Sequence, residues 1–268
     1  MNTKSSLTLR FLESHEVFTL DEYLSSVDPS VTRRTRYLNL QNAIKRDQAY
    51  RLVRGLYASN LGVYRDRTPN ALLVASKAAP DAVLAYHSAL EAHGVAHTPA
   101  RTVYFTSRGR VKGFEARGYR FRRVPAPQPL LDEADLSLTT QQRVGDALVS
   151  VTSRERTVVD CLWRLDLAGG LEELLRSVGG FATVSAESAQ AYTRLLDSPT
   201  LTARTGWLLS RMAGEWRLSA ESLEEMRHSL GRGTYWLQPR RPGVAYDFVA
   251  EWRLYVPAGD PLGEWLRG

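Results

Sequence analysis

Between Thr32 and Asp47 the chain reads TRRTRYLNLQNAIKRD, with basic residues at Arg33, Arg34, Arg36, Lys45 and Arg46 and one acid, Asp47, at its end. Tyr37, Leu40 and Ile44 recur at i, i+3 and i+7, one face of a helix, and Thr32 or Ser30 can cap its start. The opposite face carries Arg34, Asn42, Lys45 and their neighbours, almost all hydrogen-bond donors. A single helix of this length is marginal in water. Its narrow apolar stripe must therefore be seated by neighbouring elements while the donors stay outside.

The flanking sequence offers that seat. Residues 5–15 read as a helix with Leu7, Leu9, Phe11 and Leu12 available for a core. Thr19 followed by Glu22 is a capping box, opening a second helix with Leu20, Tyr23 and Leu24 facing inward. The VDPS run ends it, and the polar helix follows. Beyond that, AYRLVRGLYAS reads as two short strands around an Arg54-Gly55 turn. Helix, helix, polar third helix and hairpin are the order of a winged helix-turn-helix, whose third helix enters the major groove. Arg can read guanine there, and Asn or Gln adenine. The expected contacts are Arg33, Arg34 and Arg36 at the helix start, Asn39 and Asn42 as base readers, and Lys45, Arg46, Arg51 and Arg54 on phosphates. The predicted partner is double-stranded DNA.

The placement of charge supports a polyanion. The net charge of +6 is modest for 268 residues, but residues 31–54 hold seven bases against Asp47 alone. Residues 101–123 hold eight against Glu115 alone. The remainder is acidic on balance, so the cations are gathered rather than spread. No apolar run approaches the roughly 20 residues of a membrane helix. The N-terminal stretch has no apolar core of the signal-peptide kind. The one cysteine, Cys161, allows no internal disulfide and no multi-cysteine zinc site. It lies in an apolar helix and reads as a packed side chain. These features predict a cytoplasmic protein with no membrane association.

From Val63 the chain changes character. Pro69 follows Thr68 at a helix start, and VLAYHSALEAHG reads as a short helix closed by Gly94. Strand-like TVYFTS, GYRFRRVP and DALVSVTS come next, then TSRERTVVDCLWRLD with Thr152 and Glu155 as a capping box. Further helices are expected over 185–197, 200–216 and 219–230, and two final strands in TYWLQP and AYDFVAEWRLYVP. The fold class expected is α+β: an N-terminal winged helix-turn-helix over residues 1–62, then a mixed α+β domain over 63–268.

Several of these segments resemble the AbiEi antitoxin family of abortive-infection, type IV toxin–antitoxin systems. They are YHSALEAHGV (86–95), VTSRERTVVDCLWRLDLAGGLEELL (151–175), and the basic helix with RLVRGLYAS (51–59). The resemblance reaches from about residue 15 to 180. It implies an autorepressor that binds inverted repeats in its own promoter through the winged domain. It also implies a C-terminal domain that counteracts a nucleotidyltransferase toxin, often without a stable complex. Catalysis then belongs to the toxin: this chain is expected not to be an enzyme and to carry no cofactor. The third helix is longer than the family's compact version, which leaves its groove-facing register open.

Other residues suggest chemistry more weakly. His87, Glu91, His93 and His97 lie close in sequence, but His87 and His93 point to different helix faces, and zinc needs three or four converging ligands. Asp247, Glu251 and Arg253 share one face if 245–257 is a single strand, faintly like a metal-dependent nuclease. Yet an Asp and Glu four apart are about 13 Å apart on an extended strand, too far to chelate one ion. The alternatives to the antitoxin reading are this nuclease and a ligand-sensing transcription factor. Arg156 and Asp160, four apart on a helix, either pair structurally or help to form an antitoxicity surface with Arg120 and Arg122. No glycine-rich phosphate loop or serine-nucleophile elbow occurs.

Overall fold

The computed structural model describes residues 3–127, 130, 138–145, 147–259, 263 and 265. The fold is mixed α+β. The chain divides into two compact units, and the division differs from a single cut after residue 62. The first comprises Met1–Ala82, Arg101–Val124 and Arg143–Val149, and the second Val83–Ala100, Pro125–Gln142 and Ser150–Gly268.

The first unit begins with α1 (Thr3–Ser14), β1 (Val17–Thr19), α2 (Leu20–Ser26), α3 (Arg33–Lys45), β2 (Ala49–Val53) and β3 (Leu56–Ser59). Thr19 and Glu22 form the expected capping box, and Thr32 caps α3 through the Thr35 N–H. The strands make an antiparallel sheet in the order β1-β3-β2. Phe11, Leu12, Phe18, Tyr23, Leu24, Val27, Leu40, Ala43, Ala49 and Tyr57 form one core, with Leu20, Ile44 and Leu61 packed against it. Phe11 meets Phe18 and Tyr23 edge-on, at 5.2 and 5.3 Å between ring centroids. Every member lies between residues 11 and 61, so this lobe carries its own hydrophobic centre. Leu40 is fully buried, which contributes about 2 kcal/mol.

The same unit continues with α4 (Ala71–Ser76), capped by Asn70 rather than Thr68. After the second unit's β4 (Val83–Leu84) and α5 (His87–Ala92), the chain returns as β5 (Thr102–Thr106), β6 (Phe114–Ala116) and β7 (Tyr119–Val124). β7 pairs in parallel with β5 and antiparallel with β6. Arg117 and Gly118 join β6 to β7 at φ +50° and +80°. Two left-handed residues in a two-residue loop are the type I′ arrangement, whose twist matches the strands it joins.

β9 (Ala147–Thr152) lies between β4 and β8 (Thr139–Val144), with Leu84 opposite Val151; β8 and β9 each have residues in both units, and from Ser150 onward the chain belongs to the second. Five helices follow: α6 (Arg154–Trp163), α7 (Leu171–Val178), α8 (Ala186–Leu195), α9 (Pro199–Arg211) and α10 (Ala220–His228). Ser153, not Thr152, caps α6. A small sheet closes the unit: β10 (Tyr235–Trp236), β11 (Tyr246–Val249) and β12 (Leu254–Pro257), in the order β10-β12-β11. The expected single strand over 245–257 is thus two antiparallel strands. A 3-10 turn at Ala250–Trp252 and Arg253 at φ +50° reverse the chain between them. Among the described residues no helix is long and apolar enough to cross a membrane.

Candidate nucleic-acid interface

The seat of α3 is not quite the one the periodicity predicts. Leu40 and Ala43 are buried and Ile44 is partly buried, but Tyr37 is 41% exposed. At about 100° per residue the inward direction falls between Leu40 and Ala43, and that brings Arg36 inward as well. Its Nη1 donates to the Val27 carbonyl at 3.3 Å, while its buried Nε has no hydrogen-bond partner. Arg36 therefore fastens α3 to the end of α2 and does not belong to an outer, groove-facing set. Periodicity alone does not reveal this, because an Arg–Ala pair does not look like half of a core stripe.

Arg33 also turns toward α2, donating to Asp21 at 2.8 Å with both side chains well exposed. Such a surface pair contributes little to stability, and a phosphate could displace the carboxylate. The outward face of α3 carries Arg34, Asn42 and Lys45, all exposed, with Gln41 half-buried beside them. Leu38, 51% exposed, lies among them. Leu38 does not stand out in the sequence. Only the helix register reveals that an apolar side chain stands amid these donors. Asn39 is half-buried on the flank, and Arg46 is exposed at the helix end.

The hairpin β2–β3 turns at Arg54-Gly55, where Gly55 takes φ +84°. The Gly55 carbonyl accepts from the Leu20 N–H at 2.9 Å, tying the tip to the start of α2. Arg51 and Arg54 are exposed.

The second basic cluster sits in the same compact unit as this lobe. The Arg117 guanidinium lies 3.9 Å from the centre of the Tyr50 ring on β2, so the β6–β7 turn is held against the hairpin's outer strand. Burial raises the Tyr50 phenol's pKa despite the pull of Arg117, and the ring stays neutral beneath the cation. Not all of the cluster is free. Arg123 donates twice to the Ser107 carbonyl, at 2.9 and 2.8 Å, and Arg120 pairs with Glu115 at 3.0 Å. Arg101, Arg110, Lys112 and Arg122 are exposed.

The expected antitoxicity surface needs correction. Arg120 and Arg122 are exposed, but Arg156 and Asp160 are only 5% and 1% accessible. Arg156 Nε donates to Asp160 at 3.2 Å, and the Tyr192 hydroxyl donates to its other oxygen at 2.7 Å. Burial drives the Asp160 carboxyl upward in pKa, and Arg156 and Tyr192 only partly offset it. This is an internal clamp between α6 and α8. Removing one partner would strand a buried charge, at a cost of about 3–5 kcal/mol. Cys161 is fully buried, and burial raises its thiol's pKa well above the usual value, as befits an inert side chain.

The nuclease pattern also comes apart. Asp247 lies on β11, but Glu251 lies in the 3-10 turn and is paired with Arg227, while Arg253 donates to the carbonyls of Gly233 and Arg232. His87 belongs to a buried polar network, and Glu91, which accepts from the Ala100 N–H, comes within 3.8 Å of His87 Nδ1. The network's centre is Glu173, which accepts from the His97 and Thr98 N–H groups, the Thr98 and Ser177 hydroxyls, and His87 Nε2. His93 turns away and hydrogen-bonds the Thr152 carbonyl at 2.8 Å. Among the described residues, no group of three or more His, Cys, Asp or Glu could hold a metal ion.

No family model and no curated protein matches the chain. The crystal structure of the RV2827C protein from Mycobacterium tuberculosis is similar, with a TM-score of 0.58 at 16% identity over 100% of this chain and 94% of that one. At that identity the likeness is one of fold.

Proposed function

We propose that the chain is a DNA-binding autorepressor and antitoxin of the AbiEi kind, with a winged helix-turn-helix at its N-terminus. The element order α1-β1-α2-α3-β2-β3 and the strand order β1-β3-β2 support the winged reading. The observation that carries it is the outer face of α3. Arg34, Leu38, Asn42 and Lys45 stand exposed there, while Leu40 and Ala43 fix the helix from beneath. A helix seated on one side and donor-rich on the other is built to enter a major groove. In this reading Arg34 and Asn42 meet base edges, and Lys45, Arg46, Arg51 and Arg54 meet phosphates. The antitoxin half of the proposal, directed at a nucleotidyltransferase toxin, rests on the resemblance of residues 86–95 and 151–175. A cytoplasmic location and the absence of catalysis follow from the same reading.

The test is binding of the intact protein to the promoter upstream of its own gene, measured across a salt series with and without a chelator. The affinity should fall steeply with salt, by about 0.9 in log–log slope per phosphate neutralised, and should ignore the chelator. A shallow slope, or equal affinity for unrelated duplex at every salt concentration, would overturn the autorepressor. Co-expression with the product of an adjacent nucleotidyltransferase gene tests the antitoxin: growth should be restored, and continued arrest would remove that half.

A further inference from the structure

We propose that the outer face of the β10-β12-β11 sheet binds single-stranded RNA by stacking unpaired bases on Trp236, Tyr255 and Phe248. The proposal uses no residue of α3 and stands apart from the duplex-DNA reading.

Alternation along the strands separates two faces. Leu237, Leu254 and Val256 are buried on the inner side. Trp236, Tyr255 and Phe248 come from three different strands onto the outer side, where Trp236 and Phe248 both lie opposite Tyr255 in register. Trp236 and Tyr255 stack at 4.5 Å and 22°, Phe248 lies 4.9 Å from Tyr255, and Tyr246 meets Trp236 edge-on at 4.9 Å. The result is a continuous ring surface across the sheet rather than a plugged core. Phe248 is 47% exposed and the other three are half-buried.

The border of this surface is cationic. Arg240 and Arg241, in the loop between β10 and β11, are exposed, as is Arg232 ahead of β10. The Arg240 guanidinium lies 5.9 Å from the Trp236 ring centre. Among the described residues the acids of these strands and their connecting turn are directed elsewhere: Asp247 alternates away from Phe248, and Glu251 is taken by Arg227. Aromatic rings on a sheet with arginines around them satisfy both halves of a nucleotide strand, bases by stacking and phosphates by charge. A purely apolar protein partner would have no use for the cations. Duplex DNA would have no use for the rings, since its bases already stack on one another. Unpaired bases are displayed chiefly by RNA loops and ends, and aromatic side chains on a four-stranded sheet take two or three of them.

The experiment uses the intact protein and a labelled RNA strand of about ten nucleotides, followed by fluorescence anisotropy. Phe248→Ala should weaken binding about tenfold, and Phe248→Tyr should restore it. The double variant Arg240→Ala with Arg241→Ala should lower the salt slope by about 0.7 for each phosphate the protein no longer neutralises. All variants should keep the parent's thermal midpoint and promoter affinity, so a misfolded protein would be recognised. A deoxyribose strand of the same sequence should bind more weakly. Unchanged RNA affinity in Phe248→Ala, or tighter binding of the deoxyribose strand, would each overturn the proposal.

Discussion

At the scale of single residues, the two neighbouring arginines of α3 make opposite predictions. Arg34 faces solvent and Arg36 reaches under the helix to Val27. Arg34→Ala should leave urea stability unchanged while reducing the salt slope of promoter binding by about one. Arg36→Ala should do the reverse, lowering stability by about 1 kcal/mol with the slope intact; equal effects on both measurements would contradict the register described for α3. Glu173 makes a prediction about pH. Burial alone would raise its pKa, but the bonds from Thr98 and Ser177 and the nearby His87 outweigh it, and the net shift is downward from 4.5. A carboxyl lowered on folding adds stability above its unfolded pKa and loses it as pH falls toward the folded one. Glu173→Gln should therefore cost about 2 kcal/mol at neutral pH, with the gap to the parent narrowing as pH drops through the carboxylate range. Urea midpoints over a pH series measure this, and a gap that stays constant would contradict it.

At the scale of elements, α9 and the 3-10 turn fit without spare room. A Cβ placed on Gly206 would come within 2.0 Å of the Trp252 ring, which is fully buried. In an exposed helix Gly→Ala gains up to about 1 kcal/mol. Here Gly206→Ala should instead destabilise by about 3 kcal/mol, seen as a lowered thermal midpoint, and Trp252→Leu in the same chain should recover part of the loss. Elements differ in how far their residues announce them. The Thr19–Glu22 box, the Arg54-Gly55 turn and the helices around Leu40 and Val158 are legible in the sequence, because capping, turn chemistry and 3.6-residue spacing are local. The reversal at Ala250–Trp252 is not, since nothing in AYDFVAEWRLYVP marks a turn and Arg253 takes the left-handed conformation without being glycine. The burial of Arg156 and Asp160 is equally hidden. Their spacing is that of an ordinary surface pair, and only Tyr192, thirty-two residues on, turns it into an internal clamp.

At the scale of the whole molecule, a cut between residues 62 and 63 is unequal in its effects. Residues 1–62 keep a complete core, so this fragment should fold, with a cooperative thermal transition, and bind promoter DNA more weakly than the intact chain. The fragment from Val63 keeps 63–82, 101–124 and 143–149 but loses the lobe they cluster with. It leaves Arg117 without Tyr50 and should show a lower midpoint than the intact chain; an undiminished midpoint would mean that these strands need no lobe. Domain organisation is the least readable property for the same reason. A return of the chain to an earlier unit leaves no mark in local sequence, although the second run of arginines at 101–123 now has a physical place beside the first.

That return also bears on biosynthesis. Translation delivers a protein from its N-terminus, and domains generally mature in that order. The lobe of residues 1–62 can collapse as soon as it clears the ribosome, but its remaining partners arrive only with residues 101–124 and 143–149. A nascent chain halted before residue 101 would hold α3 ready and lack the β6–β7 hairpin that steadies the outer strand. Completion of the first unit thus waits until Val149 has been added.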